Sequence, residues 1–123
     1  MDFERILIVD DSETSRLIIR RCFEIAGYDN STYLEAEDGL RAVSILQEQP
    51  VDLILSDLRM PRMDGNTLIK KLKMRETTKG IPVVVISSVG NDRNDEELYQ
   101  EGVKAIIRKP ISPKKVAHAL GEP

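Results

Sequence analysis

The chain has 123 residues, of which 41% are hydrophobic and 32% charged, and its formal net charge is −3. This composition indicates one globular domain over residues 1–123, and it gives no reason to expect direct binding to nucleic acid or to a membrane surface. No apolar run approaches the roughly 18 residues that span a bilayer, and the acidic start "MDFER" is unlike a secretion signal. A single cysteine, Cys22, cannot form an internal disulfide, so we expect a protein of the reducing cytoplasm.

Five short apolar segments, separated by segments with helical patterning, predict five β-strands. Three of these segments are continuously apolar, as expected for parallel strands that are covered on both faces. The predicted strands are RILIV from Arg5, STYLEA from Ser31, VDLIL from Val51, VVVIS from Val83 and KAIIR from Lys104.

Five helices are predicted between and after these strands, from apolar spacing and capping residues. The first runs from about Glu13 to Ala26, ends at Gly27, and has apolar residues at helical spacing: Leu17, Ile18, Cys22 and Ile25. The second follows Asp38 as N-cap and has one apolar face, made of Leu40, Val43 and Leu46.

The last three helices have weaker but readable signals. The third is marked by Leu68, Ile69 and Leu72, and the fourth is the acidic segment "DRNDEELYQEG". The fifth opens at "SPKK", with Ser112 as cap and Pro113 at the first helical position.

Strict alternation of strands and helices predicts right-handed crossovers and a three-layer α/β/α architecture around a parallel sheet. Five strands suit the flavodoxin-like order 2-1-3-4-5, whose crevice lies at the carboxyl ends of strands 1 and 3. Asp10 and Asp11 follow strand 1, and Asp57 follows strand 3. We therefore expect these three carboxylates to meet at one edge of the sheet.

Three clustered carboxylates need a proton or a cation to offset their repulsion. Oxygen ligands without histidine or cysteine favour Mg²⁺, with Mn²⁺ as an alternative. We expect the ion to be bound by Asp11, by Asp57 and by the backbone carbonyl of Arg59. Asp10 would act mainly through a metal-bound water.

Two more strand ends point to the same crevice, because strand 4 ends in Ser87 and strand 5 ends in Lys109. A hydroxyl, an ammonium group, a metal ion and carboxylates at one point suit phosphoryl transfer to an oxygen nucleophile. A carboxylate can be that nucleophile, and Asp57 is the candidate because Asp10 and Asp11 are better placed as metal ligands.

The chain resembles the receiver domain of bacterial response regulators from Ile6 to Leu120. The resemblance is carried by four segments in order: "ILIVDDS", "DLILSDLRMPRMDG", "PVVVISS" and "IIRKPI". It implies that Asp57 accepts a phosphoryl group from a histidine kinase or a phosphotransfer protein. It also implies that Asp10 and Asp11 bind Mg²⁺ and that Ser87 and Lys109 contact the phosphoryl group.

The resemblance further implies a cis peptide bond between Lys109 and Pro110 and a switch that starts at Ser87. In the family, a shift of this hydroxyl repacks the surface of helix 4, strand 5 and helix 5, and an aromatic residue on strand 5 follows it. Here Ile106 stands at that aromatic position, so the chain departs from the family in the residue that follows the Ser87 shift. Arg59 and Val89 stand where family members tune the lifetime of the phosphoryl group.

Other functions have to be weighed against this signalling role, in which the domain catalyses only its own phosphorylation and dephosphorylation. A degenerate receiver would bind partners without phosphorylation. A phosphohydrolase of the haloacid dehalogenase type would need an acid where Arg59 stands. A flavodoxin-like electron carrier is disfavoured because this chain has no tryptophan to stack on a flavin. The output, a separate target protein or a missing C-terminal effector domain, is not visible in the sequence.

Overall fold

The computed structural model describes residues 3–88 and 90–121, so the expectation about Val89 lies outside the described residues. Within them the chain forms five strands and five α-helices. The strands are β1 (Arg5–Val9), β2 (Thr32–Ala36), β3 (Leu53–Ser56), β4 (Val83–Ser87) and β5 (Ala105–Arg108). The helices are α1 (Glu13–Phe23), α2 (Gly39–Glu48), α3 (Gly65–Met74), α4 (Asp92–Gln100) and α5 (Pro113–Leu120). No helix in the described ranges is long and apolar enough to cross a membrane.

The strands form one sheet in the order β2-β1-β3-β4-β5, and every neighbouring pair is parallel. The predicted fold, a flavodoxin-like sheet of this order with five helices, is therefore confirmed. In a parallel sheet all carboxyl ends lie at one edge, which here brings together the residues that follow β1, β3 and β5.

Two hydrophobic layers cover the two faces of the sheet. Leu7 and Val9 pack toward α2, α3 and α4, whereas Ile6 and Ile8 pack toward α1 and α5. All four side chains are fully buried. Because successive side chains on a strand point to opposite faces, a strand between two helical layers must be apolar throughout.

The predicted apolar face of α1 is wrong. Its core side is made of Ile19, Cys22 and Phe23, and Leu17, Ile18 and Ile25 are exposed. The sequence offers two apolar stripes at helical spacing that share Cys22, and only packing against the sheet decides between them. Regular helix ends at Phe23, and a π-helical turn, Glu24–Tyr28, carries the chain to Gly27, whose φ is 113°.

The predicted apolar face of α2 is confirmed for Val43 and Leu46, which pack partly buried against the core, and is wrong for Leu40. Gly39, Ala42 and Ile45 are buried, and Leu40 is exposed. Small residues face inward because the start of α2 lies close to the loop between β3 and α3: a Cβ on Gly39 would stand 2.9 Å from the Met63 Cβ.

The predicted helix caps at Asp38 and Ser112 are confirmed. The Asp38 and Ser112 side chains accept from the backbone N–H groups of Arg41 and Lys115. Asp64 and Asn91 cap α3 and α4 in the same way.

Candidate functional site at the carboxyl edge of the sheet

Asp10, Asp11 and Asp57 lie together at the carboxyl edge, and one carboxylate oxygen from each falls within 4.8 Å of the others. The strand ladders continue into two of these residues. The N–H of Asp10 donates to the Ala36 carbonyl at 3.0 Å, and the N–H of Asp57 donates to the Val9 carbonyl at 2.9 Å. The sheet itself therefore fixes the separation of these acids, as the strand order predicts.

Asp10 is buried, with 1% of its side chain exposed, and both of its carboxylate oxygens accept hydrogen bonds. Oδ1 accepts from the Ser12 backbone N–H at 2.9 Å, and Oδ2 accepts from the Ser15 hydroxyl at 2.6 Å and from Lys109 Nζ at 2.8 Å. Burial on its own would raise the pKa of Asp10, but these hydrogen bonds outweigh it and hold the pKa below its ordinary value. Asp10 is thus held as a carboxylate.

Lys109 connects Asp10 to Asp57 across the site. Its ammonium donates to Asp10 Oδ2 at 2.8 Å and to Asp57 Oδ2 at 3.0 Å. Burial would lower the pKa of Lys109, but the two carboxylates overcome that effect and raise it. The peptide bond to Pro110 is cis, as the family resemblance implies.

The Asp57 side chain is 12% exposed and points its carboxylate into this cluster. Oδ1 accepts from the Leu58 N–H at 2.7 Å, and the Arg59 N–H lies 3.4 Å from the same oxygen. The turn is held by Gly65, whose N–H donates to the Leu58 carbonyl at 2.9 Å. A Cβ on Gly65 would stand 2.2 Å from the Asp57 carbonyl oxygen, so glycine is needed for this close approach.

The donor set fits a hard divalent cation. Within the described residues no hydrogen bond or ion pair occupies the exposed Asp11 carboxylate, which is free to become a direct ligand. Both carboxylate oxygens of Asp10, by contrast, already accept hydrogen bonds from protein groups.

Ser87 and Ile106 lie on the two strands nearest to α4. Ser87 is fully buried at the end of β4, and in the sheet register it stands beside Arg108. The N–H of Lys109 donates to the Ser87 carbonyl at 3.1 Å, which links the end of β4 to the lysine. Ile106 pairs with Val85 and packs, half-buried, against the core under α4.

Sequence reasoning missed the supporting residues of the site. The Ser15 hydroxyl, at the end of "DDSETS", donates to Asp10. Arg16, the next residue, donates to the Asp10 carbonyl at 2.7 Å and to Glu35 at 2.8 Å. Their positions three and four residues after Ser12, one turn into α1, were the available signal. Arg62, with φ at 66°, holds the loop after β3 through a 2.6 Å ion pair with the buried Asp38.

Comparison with known proteins agrees with this arrangement. The family model for the response regulator receiver domain matches residues 6–121. The chemotaxis protein CheY-3 of Vibrio cholerae is 35% identical over 116 residues, which cover 94% of this chain and 88% of that protein.

Solved structures agree as well. The chemotaxis protein CheY4 of Vibrio cholerae superposes with a TM-score of 0.81 at 28% identity, covering 94% of each chain. The phosphorylated cyanobacterial phytochrome response regulator RcpA gives a TM-score of 0.80 at 25% identity, covering 96% of this chain and 89% of that one.

Proposed function

We propose that this chain, which belongs to the response regulator receiver domain family, is a phosphorylation-activated switch whose phosphoryl acceptor is Asp57. The donor is a histidine kinase or a phosphotransfer protein, and the domain works in the cytoplasm. One observation carries the proposal: Lys109 bridges the carboxylates of Asp10 and Asp57 at the carboxyl edge of the sheet.

In the proposed reaction an oxygen of the Asp57 carboxylate attacks the phosphorus atom, and the bond between phosphorus and the donor breaks. The Leu58 N–H holds Oδ1 at 2.7 Å and thereby orients the carboxylate. The Lys109 ammonium then exchanges its bond to Asp57 for one to the phosphoryl oxygens. Positive charge held in place before the reaction stabilises the transition state without costly rearrangement.

The residues that would hold Mg²⁺, or Mn²⁺ in its place, are Asp11, Asp57 and the Arg59 carbonyl, with Asp10 acting through water. A bound divalent ion supplies positive charge to the transferring phosphoryl oxygens. Removal of the ion by a chelator should therefore abolish phosphorylation while leaving the fold intact.

The proposed output surface consists of α4, β5 and α5, and Ser87 transmits the state of Asp57 to it. A groove of about 800 Å³ runs along β5 and α5 on this surface. Its lining is basic and apolar: Ile106, Ile107, Arg108, Lys114, Lys115, Ala117 and His118 are among its residues. A separate target protein or a C-terminal effector domain would contact this surface.

The domain acts on itself and does not turn over external substrates, and a receiver that only binds partners is the alternative. Intact mass measurement after incubation with acetyl phosphate and Mg²⁺ distinguishes the two. We expect one added phosphoryl group, absent without Mg²⁺ and absent in Asp57→Asn. If neither intact mass nor rapid-quench sampling detects an adduct, the binding-only alternative holds.

A further inference from the structure

We infer that Arg108 couples the phosphorylation site to α4. It thereby takes the role that an aromatic residue at the position of Ile106 has in other members of the family. This inference rests on the proposed phosphorylation of Asp57. Arg108 lies two residues after Ile106 on β5, so both side chains project toward the α4 side of the sheet.

Arg108 forms an ion pair between β5 and α4. Its Nη2 donates to Asp95 Oδ1 at 2.5 Å, and the two side chains are 35% and 27% exposed. Asp95 lies in the first turn of α4. The pair therefore ties the amino-terminal end of α4 to the edge strand of the sheet.

The same guanidinium group packs against the connection between β4 and α4. Gly90 has φ at 125°, and a Cβ at this position would stand 2.9 Å from Arg108 Nη2 and 3.2 Å from Cζ. Arg108 Nη1 is buried and has no hydrogen-bond partner in the described ranges. An unpaired buried donor is unfavourable, so the contacts of this guanidinium group are not all satisfied in this arrangement.

The backbone of Arg108 connects to the remaining parts of the output surface. Lys115 of α5 donates from Nζ to the Arg108 carbonyl at 3.1 Å. In the sheet register Arg108 stands directly beside Ser87. A displacement of Ser87 toward a phosphoryl group therefore reaches Arg108 through the sheet, and Arg108 passes it to α4 by breaking its ion pair with Asp95.

Ile106 cannot form such an ion pair, because its aliphatic side chain has no polar group that could change hydrogen-bond partners. A charged pair has two discrete states, joined and separated, which a bistable element requires. In this scheme the joined pair stabilises the unphosphorylated arrangement of α4.

The test uses Arg108→Met and Asp95→Asn, with Glu96→Gln as a matched control. Arg108→Met keeps an apolar stem, and Glu96 is an exposed acid beside Asp95 on the same helix. Beryllofluoride with Mg²⁺ serves as a stable phosphoryl mimic. Hydrogen exchange of residues 92–101 reports on α4, and titration gives the affinity for the mimic.

In the wild type and in Glu96→Gln we expect the mimic to speed exchange in α4. In both pair variants exchange should be fast already and should change little on addition of the mimic. Since coupling is reciprocal, loss of a pair that favours the unphosphorylated state should tighten binding of the mimic, by about five-fold for a typical coupling. The double variant should behave like either single variant.

The result separates the inference from the proposed function. If wild-type protein gains no phosphoryl group by intact mass or by rapid-quench sampling, the function of Asp57 itself is refuted. If the wild type is phosphorylated and Arg108→Met retains wild-type exchange changes and affinity, the coupling role of Arg108 is refuted. Intact-mass phosphorylation of each variant verifies that the site is folded.

Discussion

Replacing Lys109 with methionine tests whether the charge of this residue holds the acidic site together. In the described part of the chain, Lys109 supplies the one cationic group that contacts the carboxylates of Asp10 and Asp57. Methionine keeps most of the apolar stem and removes the ammonium. Three carboxylate oxygens within 4.8 Å of one another would then face each other without a counter-charge in the metal-free protein.

The expected loss of stability follows from the burial of the pair. Breaking a fully buried pair by removing one partner costs about 3–5 kcal/mol, because it leaves an uncompensated charge. Asp10 is 1% exposed, but Lys109 is 23% exposed, so solvent screens part of the effect. We therefore expect a loss of about 2–3 kcal/mol at pH 7 without metal, below that fully buried range. For a domain of this size the melting temperature should fall by roughly 10 °C.

The pH dependence distinguishes lost charge from lost packing. In the wild type the pKa of Asp10 is lowered, so its contribution to stability is present above its unfolded pKa of about 4 and is lost only below that. Loss of Lys109 removes both a hydrogen bond and a charge that lower the pKa of Asp10, so we expect burial to raise this pKa in the variant. The variant should therefore regain stability between pH 7 and about pH 5, where the wild type stays nearly constant.

Urea denaturation in a chelator at pH 7 and pH 5, repeated at pH 7 with saturating Mg²⁺, measures these differences. Mg²⁺ should reduce the difference in the free energy of unfolding between variant and wild type by at least half, since the ion replaces the missing positive charge. Lys104→Met, at an exposed lysine just before β5, controls for the change in net charge. If this difference in the free energy of unfolding is the same at both pH values and with Mg²⁺, Lys109 acts by packing alone.

Three further predictions concern the loops around the site. Gly65→Ala should lower stability by about 2 kcal/mol or more and impair phosphorylation measured by intact mass, because a Cβ would collide with the Asp57 carbonyl. Arg62→Ala should be about 1 kcal/mol less stable in urea than Arg62→Gly, since both lose the ion pair with Asp38 but only glycine readily adopts a φ of 66°. Val89→Ala should shorten the phosphoryl lifetime in a time course of dephosphorylation, if bulk at this position shields the group; an unchanged lifetime would count against it.

The sheet and the site's acids were predictable because they depend on strand order. Continuous apolar runs between helical segments specify a parallel sheet, and strand order then decides which ends are neighbours. Strand order alone predicts that Asp10 and Asp57 lie close together, without any information on side-chain packing. Lys109 needed only its position at the end of the last strand.

The helix faces and the supporting contacts were not predictable in the same way. On α1 the stripes around Leu17 and around Ile19 are both apolar, and a helix can present either one to a sheet. The pairs Arg62–Asp38 and Arg108–Asp95 each join residues of two different segments that are more than ten positions apart in sequence. Nothing in local sequence spacing links such partners, and only the folded structure brings them together.

The end of β5 shows how one strand could serve both the chemistry and the output. Arg108 is the last residue of β5 and forms an ion pair with Asp95 of α4, whereas Lys109, directly after the strand, contacts the carboxylates. The Lys109 N–H donates to the Ser87 carbonyl at 3.1 Å, so the ends of β4 and β5 are directly linked. In the proposed mechanism, phosphorylation of Asp57 changes the partner of Lys109 on one side of this strand. Arg108, the residue before Lys109, forms the ion pair with Asp95. The change at Lys109 can therefore be transmitted to α4 without an aromatic residue on β5.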